Sequence, residues 1–176
     1  MNERLATFYE LYNTRRSIRE FLEREIEPDK KERLMNILRR AQSAANCQPW
    51  HFVVLEGKDR EKLFSVFSRE GFKKAPLIIA ACAEPSKSWV RKADGQAYAW
   101  VDVAIAITEM IGAATAEGLG TCWVAAIDPK EVKKILAIPE DIDIVSLICM
   151  GYPQQELRWE EKKRKPMEDI IHYGKW

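Results

Sequence analysis

The chain has 176 residues, with 28 Lys and Arg against 27 Asp and Glu, for a formal net charge of +1. That length fits one domain spanning 1–176, and 47% hydrophobic residues allow a sizeable core. The balanced charge offers no global attraction to nucleic acid or to an anionic membrane, so any anion site must be local.

The chain opens on a polar, helix-like stretch, so no secretory leader is expected and the protein reads as cytoplasmic. Leu5, Phe8, Tyr9 and Tyr12 fall at helical spacing and predict a short amphipathic helix. A basic cluster follows, Arg15–Arg16–Ser17–Ile18–Arg19. Pro28 suits the first turn of a second helix, whose apolar stripe is Leu34, Ile37, Leu38 and Ala41. Gln42 to Gln48 is small and polar and is closed by Pro49. Trp50 to Leu55 predicts a strand ending at Gly57, and Lys62 to Arg69 a helix with Leu63, Val66 and Phe67 on one side. Pro76 to Ala83 is continuously apolar, the pattern of a strand buried on both faces. Glu84 to Asp94 reads as a polar loop carrying Trp89.

Tyr98 to Ala116 predicts a central helix that is apolar nearly all round. It contains Asp102 and Glu109, seven positions apart, and reads as a buried helix rather than a membrane span. In a chain this small, enclosure on most sides points to a subunit interface. The two acids share a helix face and read as paired polar contacts there, the alternative being buried acids. Gly118 and Gly120 end the helix, and Thr121 to Ala126 is a short apolar segment. Asp128–Pro129–Lys130–Glu131 is a helix start with the makings of a capping box. Ile144 to Met150 predicts a buried strand that ends at Gly151–Tyr152–Pro153. The tail, 154–176, is highly charged yet keeps Leu157, Trp159, Met167, Ile170, Ile171, Tyr173 and Trp176. A disordered tail rarely carries so many large apolar groups, so it is expected to pack on its own core or on a partner subunit. Helices alternate with strands and no repeat appears, which predicts a sheet covered by helices.

Four segments could carry chemistry. Three guanidinium groups in residues 15–19 repel one another unless an anion sits among them, and Ser17 adds a neutral donor. The alternative is a solvated basic turn. Lys162–Lys163–Arg164–Lys165 is by itself a solvated face, or the second, distant source of cations for one phosphate. In Ser43–Ala44–Ala45–Asn46–Cys47–Gln48, small residues let a flat ligand approach, and Asn46 and Gln48 suit a heterocycle edge. A capped helix-end loop is the competing reading. In Gly118–Leu119–Gly120–Thr121–Cys122–Trp123–Val124–Ala125–Ala126, two glycines permit close backbone approach. A plain helix terminus leading into a strand is the alternative. The four cysteines form no CxxC pair and there are only two histidines, so a metal site is not expected and the thiols read as reduced. No GxSxG, P-loop, HExxH or GxGxxG signature occurs.

Over essentially its whole length the sequence resembles the nitroreductase-like FMN flavoproteins. The resemblance rests on RRSIR at 15–19, SAANCQPWHFVVL at 43–55, GLGTCWVAA at 118–126, MGYP at 150–153 and KKRKPMEDIIHYGKW at 162–176, in that order. It implies an α+β fold with α/β/α-like layers, a mixed, largely antiparallel central sheet, and an interlocked homodimer with residues 154–176 packing on the partner. It also implies two FMN sites per dimer, each built from both chains. Arg15, Ser17 and Arg19 match the family's phosphate and ribityl contacts, Arg16 a position beside the ring or ribityl chain, and Lys162 and Arg164 the tail cations that reach the phosphate. Ser43, Ala44 and Asn46 match the loop given by the other subunit, Gln48 the glutamine before the proline, and Val124 and Ala125 the segment whose backbone approaches flavin N5.

The implied activity is an FMN-dependent oxidoreductase. NADH or NADPH passes hydride to the flavin, and a small electron acceptor such as a nitroaromatic, a quinone or a flavin then takes its place in a ping-pong cycle. Within the family the same flavin also serves dehalogenation and flavin breakdown. The reading from another class is a non-catalytic FMN-binding or sensing dimer. Gln42 departs from a frequent family proline, and no clear match exists for contacts to the flavin pyrimidine, for which Arg69, Lys73 and Lys74 are candidates. The variable 84–96 segment is expected to form part of an access lid.

Overall fold

The computed structural model describes residues 2–158 and 161–176. Trp159, counted above among the apolar residues of the tail, lies outside the described residues. Four strands form one sheet: β1 (Trp50–Glu56), β2 (Leu77–Ala83), β3 (Gly120–Val124) and β4 (Asp143–Gly151). Their order is β1-β2-β4-β3, and each neighbouring pair is antiparallel. Among the described residues the one parallel contact is the isolated bridge between Ser17 and Thr121. The expected mixed sheet is therefore antiparallel in its strands, with parallel character confined to that bridge.

Helices cover both faces. Alternation along β2 sends Leu77, Ile79, Ala81 and Ala83 into one core with α2 (Pro28–Arg40) and α4 (Ala99–Ala116). Ile78, Ala80 and Cys82 enter a second core with Leu63, Phe67, Phe72 and Val132. This is why the strand reads as an unbroken apolar run. In α2, Leu34 and Leu38 are fully buried, and each contributes about 1.5–3 kcal/mol of transfer free energy. Cys82, Cys122 and Cys149 are free and buried, and burial raises each thiol's pKa, that of Cys82 to about 11.

Between β1 and β2 the structure departs from expectation. In place of a helix over 62–69, a 3-10 helix runs over Gly57–Val66, Phe67 is extended, and a short α3 (Glu70–Lys73) follows. The extended residue lets the Phe67 ring meet Phe72 at 5.7 Å between centroids. Leu63 and Phe67 are buried, so the apolar spacing identified the inward side of a differently wound segment. At α5 (Pro129–Leu136) Asp128 caps by accepting the Lys130 N–H at 2.9 Å. Glu131 does not close a capping box; its carboxylate accepts from the Ser65 hydroxyl at 3.4 Å.

The helix α4 has the length and composition to cross a membrane, but one face packs in the core through Val103, Ala106, Ile107, Met110 and Ala114. It is a core helix. Its enclosure is one-sided within the chain, because Trp100 and Val101 are exposed. Asp102 and Glu109 do not pair: Asp102 is buried and Glu109 is exposed in a groove. That groove, of about 450 Å³, lies between α4, α2 and α1 (Glu3–Thr14) and is lined by Phe8, Leu11, Tyr12, Ile37, Gly112 and Ala113. The helix α1 buries none of its residues, and the tail leaves Met167, Ile170, Tyr173 and Trp176 exposed. Of the two packing partners expected for the tail, its own core is not the one used by these residues.

Candidate functional site

Residues 15–22 form a strap that runs from the end of α1 across the outer side of β3. The Ile18 N–H donates to the Thr121 carbonyl at 2.8 Å, the Leu22 N–H to Tyr152 O at 2.9 Å, and the Gln154 N–H to Glu20 O at 3.1 Å. Two glycines make this approach possible. A Cβ at Gly120 would lie 2.7 Å from Ile18 Cγ1, and one at Gly71 would lie 2.0 Å from Arg19 O. The strap is thus wedged between β3 and α3, and its side chains have little choice of side.

A cleft of about 230 Å³ opens between the strap and the turn after β4, lined by Arg16, Ser17, Arg19, Pro153, Gln154 and Gln155. Arg16 Nη2 donates to Glu156 O at 3.4 Å, and Arg19 Nη1 to Ser17 O at 3.3 Å. Ser17 and Arg19 are exposed, whereas Arg15 and Arg16 are half-buried. From the tail, Lys162 Nζ donates to the Tyr12 carbonyl, one of the acceptors left free at the end of α1. Partial burial, and then the charges of Arg15, Arg164 and Arg16, hold the Lys162 pKa below the usual lysine value. Four cations from two ends of the chain are therefore neighbours. Arg164, exposed, donates locally from Nη1 to Lys163 O at 2.9 Å. Like charges so gathered repel one another, and an anion among them removes the penalty.

Farther along the same strand lie Val124, buried and paired with Leu147, and Ala125, exposed just beyond the strand end. Thr121 and Ala125 are four residue steps apart, about 13 Å at 3.3 Å per residue.

The other predicted segment is elsewhere. Ser43 to Gln48 leads into β1, at the opposite edge of the sheet from β3 and the strap, with β1 and β3 about 14 Å apart by strand spacing. Three of its residues without glycine's freedom have left-handed backbone: Ala45 at φ 50°, Asn46 at 56° and Gln48 at 52°. Each such residue costs about 1 kcal/mol or more, least for Asn. Within the loop the Asn46 N–H donates to Ser43 O at 3.0 Å and the Gln48 N–H to Ser43 Oγ at 3.0 Å. Gln48 Nε2 donates to Asn46 O at 3.2 Å. Asp102, in the first turn of α4 and 1% exposed, accepts the Ala44 N–H through Oδ1 at 2.9 Å. Sequence reasoning identified the polar loop but missed this acid as its partner.

Residues 7–176 match the family described as "Putative TM nitroreductase". The chain belongs to this nitroreductase family. It is 33% identical over 190 residues to a "Putative NADH dehydrogenase/NAD(P)H nitroreductase" of Archaeoglobus fulgidus, with 100% of both chains covered. A nitroreductase family protein from Clostridium difficile superposes with a TM-score of 0.87 at 28% identity, again covering 100% of both chains. A crystal structure described as an oxidoreductase containing FMN shares the fold at a TM-score of 0.81 and 18% identity, over 94% of this chain and 91% of that one. As a nitroreductase family member the chain is an oxidoreductase.

Proposed function

We propose that the chain binds FMN and transfers electrons from NADH or NADPH to a small acceptor, such as a nitroaromatic, a quinone or a flavin, as a homodimer. The observation that carries this is that Lys162, seated on the Tyr12 carbonyl at the end of α1, stands close enough to Arg15, Arg16 and Arg164 to feel their charges. A dianionic phosphate fits such a cluster, and Val124 and Ala125 lie farther along the strand that the strap crosses. Lys162 already satisfies an α1 carbonyl, so it contributes charge to the cluster while held in place by the helix end.

Bound FMN would supply the two-electron chemistry. The residues of the chain bind, orient and shield. Arg15, Arg16, Lys162 and Arg164 would hold the phosphate, and the Ser17 hydroxyl and Arg19 would offer polar contacts to the rest of the cofactor's chain. The backbone at Val124 and Ala125 offers the close approach that a planar ring needs. No acidic or basic side chain on this edge is assigned a proton-transfer role.

The site is divided between two chains. Ser43, Ala44, Asn46 and Gln48 stand at the far edge of their own sheet, so they reach a flavin only as the loop of a partner subunit. Three apolar surfaces support that assembly: the outer face of α4, the face of α1 with Phe8 at 52% exposure, and the tail with Trp176 at 99%. The tail, 154–176, packs on the partner in this reading, and residues 1–176 form one domain.

Purified protein should be yellow and should show a bound-flavin spectrum. Colourless protein that does not take up added FMN sinks the reading. Stopped-flow mixing with NADH should bleach the bound flavin, and turnover with a panel of acceptors then follows. Flavin that binds but is never reduced makes the chain a sensing dimer. Turnover confined to a halogenated acceptor makes it a dehalogenase.

A further inference from the structure

The Ser43–Gln48 loop makes most of its hydrogen bonds to itself, and such bonds shape the loop without fixing where it stands. Among the described residues, one hydrogen bond ties residues 43–48 to another element: the Ala44 N–H to Asp102 Oδ1, at 2.9 Å. Asp102 is 1% exposed, and its other oxygen, Oδ2, has no hydrogen-bond partner among the described residues. An acid in so buried a place costs free energy that an apolar residue would avoid, so simple packing does not account for it. The free N–H groups of the first turn of α4 favour a carboxylate there, and the side chain is thereby held pointing at the loop. Immediately downstream of the clamped amide, Ala45, Asn46 and Gln48 take the left-handed backbone that side chains resist.

We infer that Asp102 is a positioning residue for cofactor binding: its carboxylate fixes the Ala44 amide and so holds the loop in the shape it presents to the flavin of the partner subunit. The inference rests on the two-chain FMN site proposed above. It assigns to a buried acid, outside the reach of any ligand, control over the affinity of a site on the other chain.

Three variants of the full chain test it, with FMN itself as the probe. Asp102→Asn keeps an acceptor for the Ala44 N–H and removes the charge. Asp102→Leu keeps the volume and removes the acceptor. Ala44→Pro removes the donor, at the first residue of the 3-10 turn where proline's φ is tolerated. Flavin fluorescence titration should show Asp102→Leu and Ala44→Pro binding FMN about 10-fold or more weakly, and Asp102→Asn within about 3-fold of wild type. Amide exchange over residues 43–49 should quicken in the Leu and Pro variants while β2 stays protected. If Asp102→Leu does not fold, Asp102→Ala, which also lacks the acceptor, is titrated in its place, and Ala44→Pro, at a residue of the flavin-facing loop itself, is read by amide exchange.

Wild-type protein that binds FMN, with the Leu and Pro variants binding it equally well, overturns the inference alone. So does an Asn variant as weak as the Leu variant, because then the charge and not the clamp matters. Wild-type protein that binds no FMN overturns the cofactor reading and the purpose given to the clamp, while the exchange measurement still reports whether the clamp exists.

Discussion

The strap at residues 15–22 and the loop at residues 43–48 are held in opposite ways. The strap is rich in charge and ordinary in backbone. It is wedged by glycines that leave no room for a Cβ and stitched by backbone bonds to β3 and to the turn after β4. The loop is neutral and left-handed in backbone, and it is tied to the fold by a buried acid. The difference teaches that one half of the proposed site stores electrostatic repulsion, which an anion relieves, whereas the other stores conformational strain, which the fold must sustain without help.

The largest effect should come from breaking the wedge. Gly71→Ala places a methyl group 2.0 Å from a backbone oxygen of the strap, which no rotamer change can relieve. Where the strap yields to the clash its anion-binding residues leave their places, and overpacking of about 3 kcal/mol caps the affinity lost that way at about 100-fold. FMN titration should show a loss on that scale, and amide exchange over 43–49 should be unchanged. Exchange that quickens in both regions would show that strap and loop are one cooperative unit, and the comparison would fail.

Arg164→Ala addresses the charge alone. A charge-assisted phosphate contact contributes about 1.5–3 kcal/mol, so FMN affinity should fall by about 10- to 100-fold, and less at high salt. Unchanged affinity would reduce the tail cluster to a solvated face. A similar size of effect is expected from Gly112→Ala, but in assembly. No atom lies within 4 Å of a Cβ built at Gly112, so in an isolated chain the change stabilises the helix by about 0.5–1 kcal/mol. With the groove covered by a second subunit, the methyl group meets the partner and costs about 1–3 kcal/mol. Sedimentation velocity should therefore show weaker dimers; a higher melting temperature with undisturbed association would leave the groove to solvent.

Much of the strap was legible in the sequence, and little of what holds the loop. Charge is written in residue type, so Arg15 to Arg19 and Lys162 to Arg164 stand out before any fold is known. The helix starts at Pro28 and at Asp128–Pro129 are local chemistry and appear where that chemistry puts them. The Asp102 clamp joins residues 58 apart, and no local pattern announces such a pair. Gly71 looked like nothing in sequence, because its role depends on how closely Arg19 passes it. The segment at 57–66 was misread for a related reason: Leu63, Val66 and Phe67 mark an inward side, and that spacing does not distinguish an α-helix from a 3-10 helix with an extended exit.

The smallest effect sharpens the comparison at the strap's outer anchor. Tyr152, just after β4, accepts the Leu22 N–H through its carbonyl and donates its hydroxyl to Glu27 at the start of α2. Lys30 Nζ donates to the same hydroxyl at 3.1 Å and to Glu117 O at 2.9 Å, and the Arg24 guanidinium lies 3.9 Å from the ring centroid. The Tyr152 hydrogen bond, first among several causes, lowers the Glu27 pKa from its ordinary 4.5 to about 2. A depressed carboxylate contributes its stability above pH 4.5, and that contribution drains away as the pH falls toward about 2. Tyr152→Phe removes the leading cause, so the Glu27 pKa should rise back toward its ordinary value and this part of the acid sensitivity should shrink. Melting temperatures followed down through that window should fall less steeply for Tyr152→Phe than for wild type, although the variant starts lower at neutral pH. Parallel acid limbs would place the strap's anchor in its backbone bond alone, with the Glu27–Tyr152–Lys30 network as decoration on the surface of α2.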